Sequence, residues 1–164
     1  MNICTKLNIC TLNSPTSQSR KPLPAIHKHH AMKIEAYFTN IRQEILKELE
    51  KAQKQITIAV CWFTNFELFD KLCEKLVNGI PVDLIILDDY INCNPYGCDF
   101  SKFIELGGGL FLSSTDRPMH NKYCIIDDNV LINGSYNWTY FAESKNDENI
   151  MIIEGNEKLI QEYN

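Results

Sequence analysis

The order of apolar segments between residues 56 and 87 constrains the fold most strongly. Residues 56–62 form an apolar run of strand length, and a segment with apolar residues at helical spacing follows it. Gly79 and Pro81 end that helix, and residues 82–87 form a second apolar run. A strand, a helix and a strand in this order predict a parallel crossover, and therefore a sheet with a helix packed against it.

Further segments extend this pattern in both directions. Residues 39–53 carry apolar residues at helical spacing, with Thr39 or Asn40 as the cap. We interpret the three glycines at residues 107–109 as a turn between a helix and a strand. The pattern predicts an α/β sandwich in which a mixed central sheet is flanked by helices. Its other predicted strands are residues 110–113, 123–126, 130–132 and 148–153, and its other helices are residues 100–106, 136–143 and 156–163.

Length and composition fit one domain with a substantial core. The chain has 164 residues, of which 45% are hydrophobic and 23% are charged. Residues 1–31 are rich in Asn, Thr, Ser, Pro and Lys and show neither helical nor strand periodicity, so we predict that they are disordered. The folded domain is then expected to span residues 32–164. Neither an export signal nor a transmembrane segment is expected, because the chain contains no apolar run of the required length.

Charge and cysteine content narrow the class of protein. The formal net charge of −5 argues mildly against a surface that binds nucleic acid throughout, but it allows a local basic groove. Seven cysteines, without any C-x-x-C pair, predict reduced thiols and a cytoplasmic protein. Cys93 and Cys98 are close enough in sequence to pair or to bind a metal, although we interpret them as free thiols. Asp88 and Asp89 could also hold a metal, but we interpret them as the polar start of a loop.

The densest group of chemically useful residues lies within residues 119–138. His120 and Lys122 precede a short apolar strand, and the period of two places both side chains on one face of it. A turn and a second short strand then lead to Gly134 and Ser135, where a helix is predicted to begin. The N–H groups of that helix start, with the Ser135 hydroxyl and the Asn137 amide, would form an anion site beside the histidine and lysine.

This spacing resembles the signature of the phospholipase D superfamily. The motif runs His120-x-Lys122, four residues, Asp127, six residues, Gly134-Ser135-x-Asn137. A chance match of six specified residues in a chain of this length has a probability of roughly one in a million. The sequence Asn-Asp-Glu-Asn at residues 146–149, followed by an apolar strand, extends the likeness to the single-motif nucleases and phosphodiesterases of that superfamily.

The resemblance implies a phospholipase D-like fold with one half-site per chain, and a role for each motif residue. His120 would attack phosphorus to give a phosphohistidine, Lys122, Ser135 and Asn137 would bind phosphate oxygens, and Glu148 would orient His120. Asp127 is included among the catalytic residues, although it could instead organise the turn and the interface. Members of the superfamily use two such histidines. The resemblance implies no metal or other cofactor.

The rest of the chain contains no second His-x-Lys pair. His27, His29 and His30 have no lysine two residues further on, so none repeats the motif. A homodimer with two His120 side chains facing each other is the simplest way to complete the site.

The substrate is less well determined than the chemistry. We favour a nuclease acting on DNA or RNA, because the chain is short, has a single motif and contains no membrane segment. The alternative is a phospholipase D acting on phospholipid head groups, for which Trp62, Phe63 and Phe66 are the candidate membrane contacts. A third hypothesis, from another class, is a non-catalytic binding scaffold that keeps the fold.

Overall fold

The computed structural model describes residues 31–163 as a seven-stranded sheet with helices on both faces. The predicted disorder of residues 1–31 therefore falls, except for Ala31, outside the described residues. The strands are β1 (Lys33–Tyr37), β2 (Ile56–Val60), β3 (Val82–Leu87), β4 (Gly109–Ser113), β5 (Lys122–Ile126), β6 (Val130–Gly134) and β7 (Ile150–Glu154). The helices are α1 (Ile41–Lys51), α2 (Phe66–Val77), α3 (Phe100–Glu105), α4 (Tyr140–Lys145) and α5 (Glu157–Gln161).

The sheet is mixed, with strand order β1-β7-β6-β5-β2-β3-β4. β2, β3 and β4 run parallel, and β5, β6, β7 and β1 alternate in direction beyond β2. The predicted α/β sandwich with a mixed central sheet is confirmed. As a consequence of these directions, the carboxyl ends of β2, β3 and β6 lie at the same sheet edge as the amino ends of β5 and β7.

Two apolar layers hold the helices to the sheet. The larger layer buries Ile45 and Leu49 of α1 and Leu72 of α2 against alternate residues of the central strands, such as Ile58 and Leu84. Apolar residues at the period of each element meet there, and the removal of their surface from water is the main stabilising contribution. On the opposite face, Ile160 of α5 packs against a smaller cluster formed by Ile125, Leu131 and Ile153.

The structure corrects the sequence expectations at two elements. β1 was not predicted, because this edge strand leaves Ile34 and Ala36 exposed and has no apolar run. The last helix before β7 begins at Tyr140, with Thr139 as its cap, and not at residue 136. Trp138 stays extended because it forms a bridge with Phe63 and its carbonyl accepts the N–H groups of the Thr64-Asn65 turn.

The alternatives left open for Cys93 and Cys98 can be examined within the described residues. Cys93 and Cys98 are free thiols, so the pairing considered for them is not made. Among residues 31–163, no helix is both long enough and apolar enough to cross a membrane.

Candidate active site

All the predicted site residues except Asp127 lie at the ends of three neighbouring strands, at one edge of the sheet. His120 and Lys122 lie at the start of β5, Ser135 and Asn137 lie just after β6, and Glu148 lies just before β7. Because β6 runs opposite to both β5 and β7, its end meets their beginnings. Residues far apart in sequence therefore surround one position at the sheet edge.

Lys122 is the half-buried cation of this group. Its Nζ donates a hydrogen bond of 2.7 Å to the backbone oxygen of His120. Burial lowers the pKa of Lys122 below its ordinary value, and the nearby Cys61 and Glu148 oppose that shift. An ammonium group that has given up part of its hydration gains from a bound anion, so Lys122 is well suited to hold a phosphate oxygen.

His120 is exposed, and its ring rests against an indole. The ring centroids of His120 and Trp62 are 6.1 Å apart, with the rings at 89°. The indole Nε1 of Trp62 donates to Oδ2 of Asp89 at 2.8 Å. Oδ1 of the same carboxylate accepts the backbone N–H groups of Ile91 and Asn92, at 3.1 and 3.0 Å. The Trp62 indole is therefore held in place by Asp89, and it limits the positions that the His120 imidazole can take.

The contact between Trp62 and Asp89 was not predicted from the sequence, although both residues were considered there. Asp89 was considered as a metal ligand or a loop start, and the structure uses its carboxylate to anchor Trp62. Among residues 31–163, no group of three or more His, Cys, Asp or Glu side chains is placed to hold a metal ion. A polar residue at the exit of β3 was the available signal, but the sequence does not show which side chain it meets.

Ser135 and Glu148 form a polar network beside the lysine. The hydroxyl of Ser135 donates to one carboxylate oxygen of Glu148, and Asn146 Nδ2 donates to the other at 2.8 Å. The Asn149 N–H donates to the Ser135 hydroxyl at 3.1 Å, and the Ser135 N–H donates back to the Asn149 carbonyl at 3.0 Å. In the single chain the Glu148 carboxylate binds Ser135 and Asn146, and its expected role of orienting His120 stays a prediction.

Asn137 and Gly134 complete the edge of the site. The side-chain oxygen of buried Asn137 accepts the Trp62 backbone N–H at 3.3 Å, which leaves its NH₂ group as the donor available to a phosphate. A Cβ at Gly134 would lie 2.1 Å from the Asn149 carbonyl oxygen, so only glycine fits where β6 meets β7. The anion site predicted from a helix start at Ser135 is corrected, because α4 begins five residues later.

Asp127 is not brought to this group. It follows β5 at the opposite edge of the sheet. Five residues of extended strand separate it from Lys122, which corresponds to roughly 17 Å at the rise per residue of a β-strand. Its carboxylate accepts the backbone N–H groups of Gln53, Lys54 and Gln55 at 2.9, 2.7 and 3.1 Å. The side chain of Asp127 therefore orders the loop between α1 and β2, and its expected part at an interface stays a prediction.

Comparison with known proteins identifies the family. A family model described as a cardiolipin synthase, phospholipase D-like domain, matches residues 45–164. The chain belongs to the phospholipase D superfamily. The mitochondrial cardiolipin hydrolase of Chlamydomonas reinhardtii is 33% identical over 118 residues, which are 72% of this chain and 52% of that protein. The phospholipase D of Rickettsia typhi is 29% identical over 122 residues, which are 73% of this chain and 57% of that protein.

The fold is also shared with a solved structure of the superfamily. The crystal structure of the phospholipase D family member Nuc from Salmonella typhimurium superposes with a TM-score of 0.72 and 22% identity, covering 80% of this chain and 89% of that one. The chain spans about half the length of the curated relatives it matches. These matches confirm the resemblance that was drawn from the motif between His120 and Asn137.

Proposed function

We propose that the protein is a phosphodiester hydrolase that acts on nucleic acid through a phosphohistidine, in a site completed by a second copy of the chain. The observation that carries this proposal is the position of the half-buried Lys122 ammonium, which is bonded to the backbone oxygen of His120, the residue with the exposed imidazole. A nucleophile beside a fixed positive charge is what displacement at phosphorus requires.

The proposed reaction has two steps. A neutral ring nitrogen of His120 attacks phosphorus, and a P–N bond forms as the P–O bond to the leaving group breaks. The departing oxygen takes the proton held by the His120 imidazolium of the second copy. That imidazole then removes a proton from water, and the resulting hydroxide attacks phosphorus and breaks the P–N bond. Lys122 and the Asn137 amide would hold the phosphate oxygens throughout, which is why the mechanism calls for no metal ion.

A second copy is proposed because the described residues hold one histidine and His27, His29 and His30 do not repeat the motif. Of the four histidines in the chain, only His120 lies within residues 31–163. One imidazole cannot be both the attached nucleophile and the acid for the leaving group in the same step. The exposure of His120 at an open sheet edge leaves room for the same residue of a second copy, related by a two-fold axis.

A nucleic acid is favoured as substrate by the surroundings of the phosphate position. Trp62 offers a planar indole within ring-contact distance of His120, at a cavity that adjoins Asn137. Aromatic faces beside a phosphate position are how single-stranded nucleic acids are commonly held. The net charge of −5 favours contact with a short segment of strand over a long electrostatic groove.

A phospholipid is the second candidate, and two observations favour it. Similar proteins carry the names cardiolipin hydrolase and phospholipase D. Phe66 and Tyr140 are also partly exposed, with ring centroids 6.1 Å apart, on helices that leave the same sheet edge. Of the membrane contacts considered from sequence, Phe63 is buried and Trp62 is anchored to Asp89, so this aromatic pair is the stronger candidate.

Purified protein and a His120→Asn variant are compared on plasmid, single-stranded DNA, RNA and cardiolipin vesicles, all in excess EDTA. Nucleic-acid cleavage by the wild type alone supports the proposal. Release of products from vesicles alone replaces the nuclease with a lipid hydrolase. Loss of all activity in EDTA contradicts the metal-free mechanism. A monomeric protein that cleaves none of these substrates, with or without added divalent ions, supports the scaffold hypothesis.

A further inference from the structure

A cavity adjoins the proposed phosphate position, and Asn137 is the residue of its lining that takes part in the mechanism above. It has a volume of about 260 Å³ and is lined by Trp62, Thr64, Ile91, Asn137, Thr139, Phe141, Ala142 and Asn146. It shares two walls with the catalytic edge, since Trp62 contacts the His120 ring and Asn137 bonds to the Trp62 backbone. A group covalently linked to the reacting phosphate can therefore enter it.

The walls of this cavity are fixed by their own contacts. The Trp62 indole is held by the 2.8 Å bond to Asp89, and Thr139 caps α4 by accepting the Ala142 N–H at 3.0 Å. Asn146 is oriented by its 2.8 Å bond to Glu148. Phe141 differs from these residues because 66% of its surface is exposed, so its ring is the apolar wall that solvent reaches. A flat apolar ligand would cover it.

We propose that this cavity binds the base of the nucleotide next to the scissile phosphate. This inference rests on the proposed nuclease function and names the part of the substrate that the protein recognises. An indole and a phenyl ring supply faces for stacking, which is tolerant of base identity. The accessible lining is almost wholly apolar, which suits the face of a base better than a polar group.

The size of the cavity favours a base over a lipid chain. Its volume of about 260 Å³ is below the roughly 300–1,000 Å³ that is usual for pockets that enclose drug-sized molecules. A single planar ring system fits such a space, whereas a full acyl chain does not. The cavity therefore binds one substituent of the phosphate. Cleavage would then require a base at this position but would not depend on which base it is.

The test uses a single-stranded oligonucleotide in which one nucleotide is replaced by a stable abasic residue. We expect wild type to cleave the bond next to the abasic residue about 10-fold more slowly than the same bond in the intact strand. Phe141→Ala should slow cleavage of the intact strand by a similar factor and leave cleavage at the abasic position unchanged. Phe111→Ala, which removes a ring of comparable exposure from the edge strand β4, should change neither rate.

Equal wild-type rates on the two strands, or equal slowing of both by Phe141→Ala, would overturn the proposal. Binding distinguishes this failure from failure of the nuclease function itself. Adenosine monophosphate should quench the fluorescence of half-exposed Trp62, ribose 5-phosphate should not, and the quench should weaken in Phe141→Ala. If no nucleic acid is cleaved, a saturable quench by the nucleotide still supports the cavity assignment. Quenching by cardiolipin vesicles without quenching by the nucleotide would assign the cavity to a lipid.

Discussion

Replacing Asp127 with Asn should lower the stability of the fold without changing the catalytic rate. The Asp127 carboxylate accepts three backbone N–H groups of the loop between α1 and β2, at 2.7–3.1 Å. A hydrogen bond to a charged group contributes about 1.5–3 kcal/mol, and this site is only partly buried. Asn keeps one oxygen acceptor and tolerates the left-handed backbone at φ 56°. We therefore expect Asp127→Asn to lower the free energy of unfolding by about 2–4 kcal/mol.

Urea unfolding followed by far-ultraviolet circular dichroism measures this change, with kcat determined in parallel on the folded protein. Because Asp127 lies at the sheet edge opposite His120, kcat should stay within about 3-fold of wild type, a barrier change of less than 1 kcal/mol. The neighbouring Asp128→Asn is the matched control, since Asp128 accepts an exposed side-chain bond from Gln55 at 2.8 Å. We expect the control to lose less than about 1 kcal/mol.

The opposite pattern would refute this reasoning. If folded Asp127→Asn lost 100-fold or more in kcat with an unchanged urea midpoint, Asp127 would act in the chemistry itself. The placement of its carboxylate on the loop formed by residues 53–55 would then not be its main function.

Three further predictions follow from contacts in and around the site. Because burial lowers the pKa of Lys122, the ammonium loses its proton at a lower pH, and kcat/KM should fall on the alkaline side below pH 10.5. Lys122→Arg keeps its charge, so its pH profile of kcat/KM should lack this alkaline decrease. Gly134→Ala should unfold at a clearly lower temperature or fail to fold, because the added carbon would meet the Asn149 carbonyl oxygen at 2.1 Å, and a calorimetric midpoint equal to wild type would contradict this. Iodoacetamide at pH 8 should alkylate exposed Cys93 well before Cys98, because burial raises the pKa of Cys98 to about 12. Peptide mass spectrometry measures the order of alkylation, and the reverse order would contradict this prediction.

The sequence predicted that His120 and Lys122 lie next to each other because this part of the motif is local. His120 lies only two residues before Lys122, the first residue of β5, so their short separation in sequence places them together. The strand, helix and strand of residues 56–87 likewise follow from apolar periodicity, which reflects burial directly. These features depend on contacts between near neighbours or on one buried face.

The parts that sequence reasoning missed depend on partners far away in the chain. Asp89 anchors Trp62 across 27 residues, and Asp127 binds a loop more than 70 residues earlier. The start of α4 was predicted too early because the Trp138 carbonyl accepts N–H groups from residues 64 and 65, which keeps this segment extended. Local propensity cannot reveal such tertiary bonds.

Two His120 side chains, one from each copy, are proposed to form a single catalytic site. Co-expression of wild-type and His120→Asn chains with different affinity tags, followed by two purification steps, isolates the heterodimer, and a doubly tagged wild-type dimer is the control. We predict that the heterodimer hydrolyses its best substrate at least about 100-fold more slowly than the control, because one imidazole is missing from the shared site. A heterodimer with half the activity of the control would show that each chain acts alone and would contradict the account.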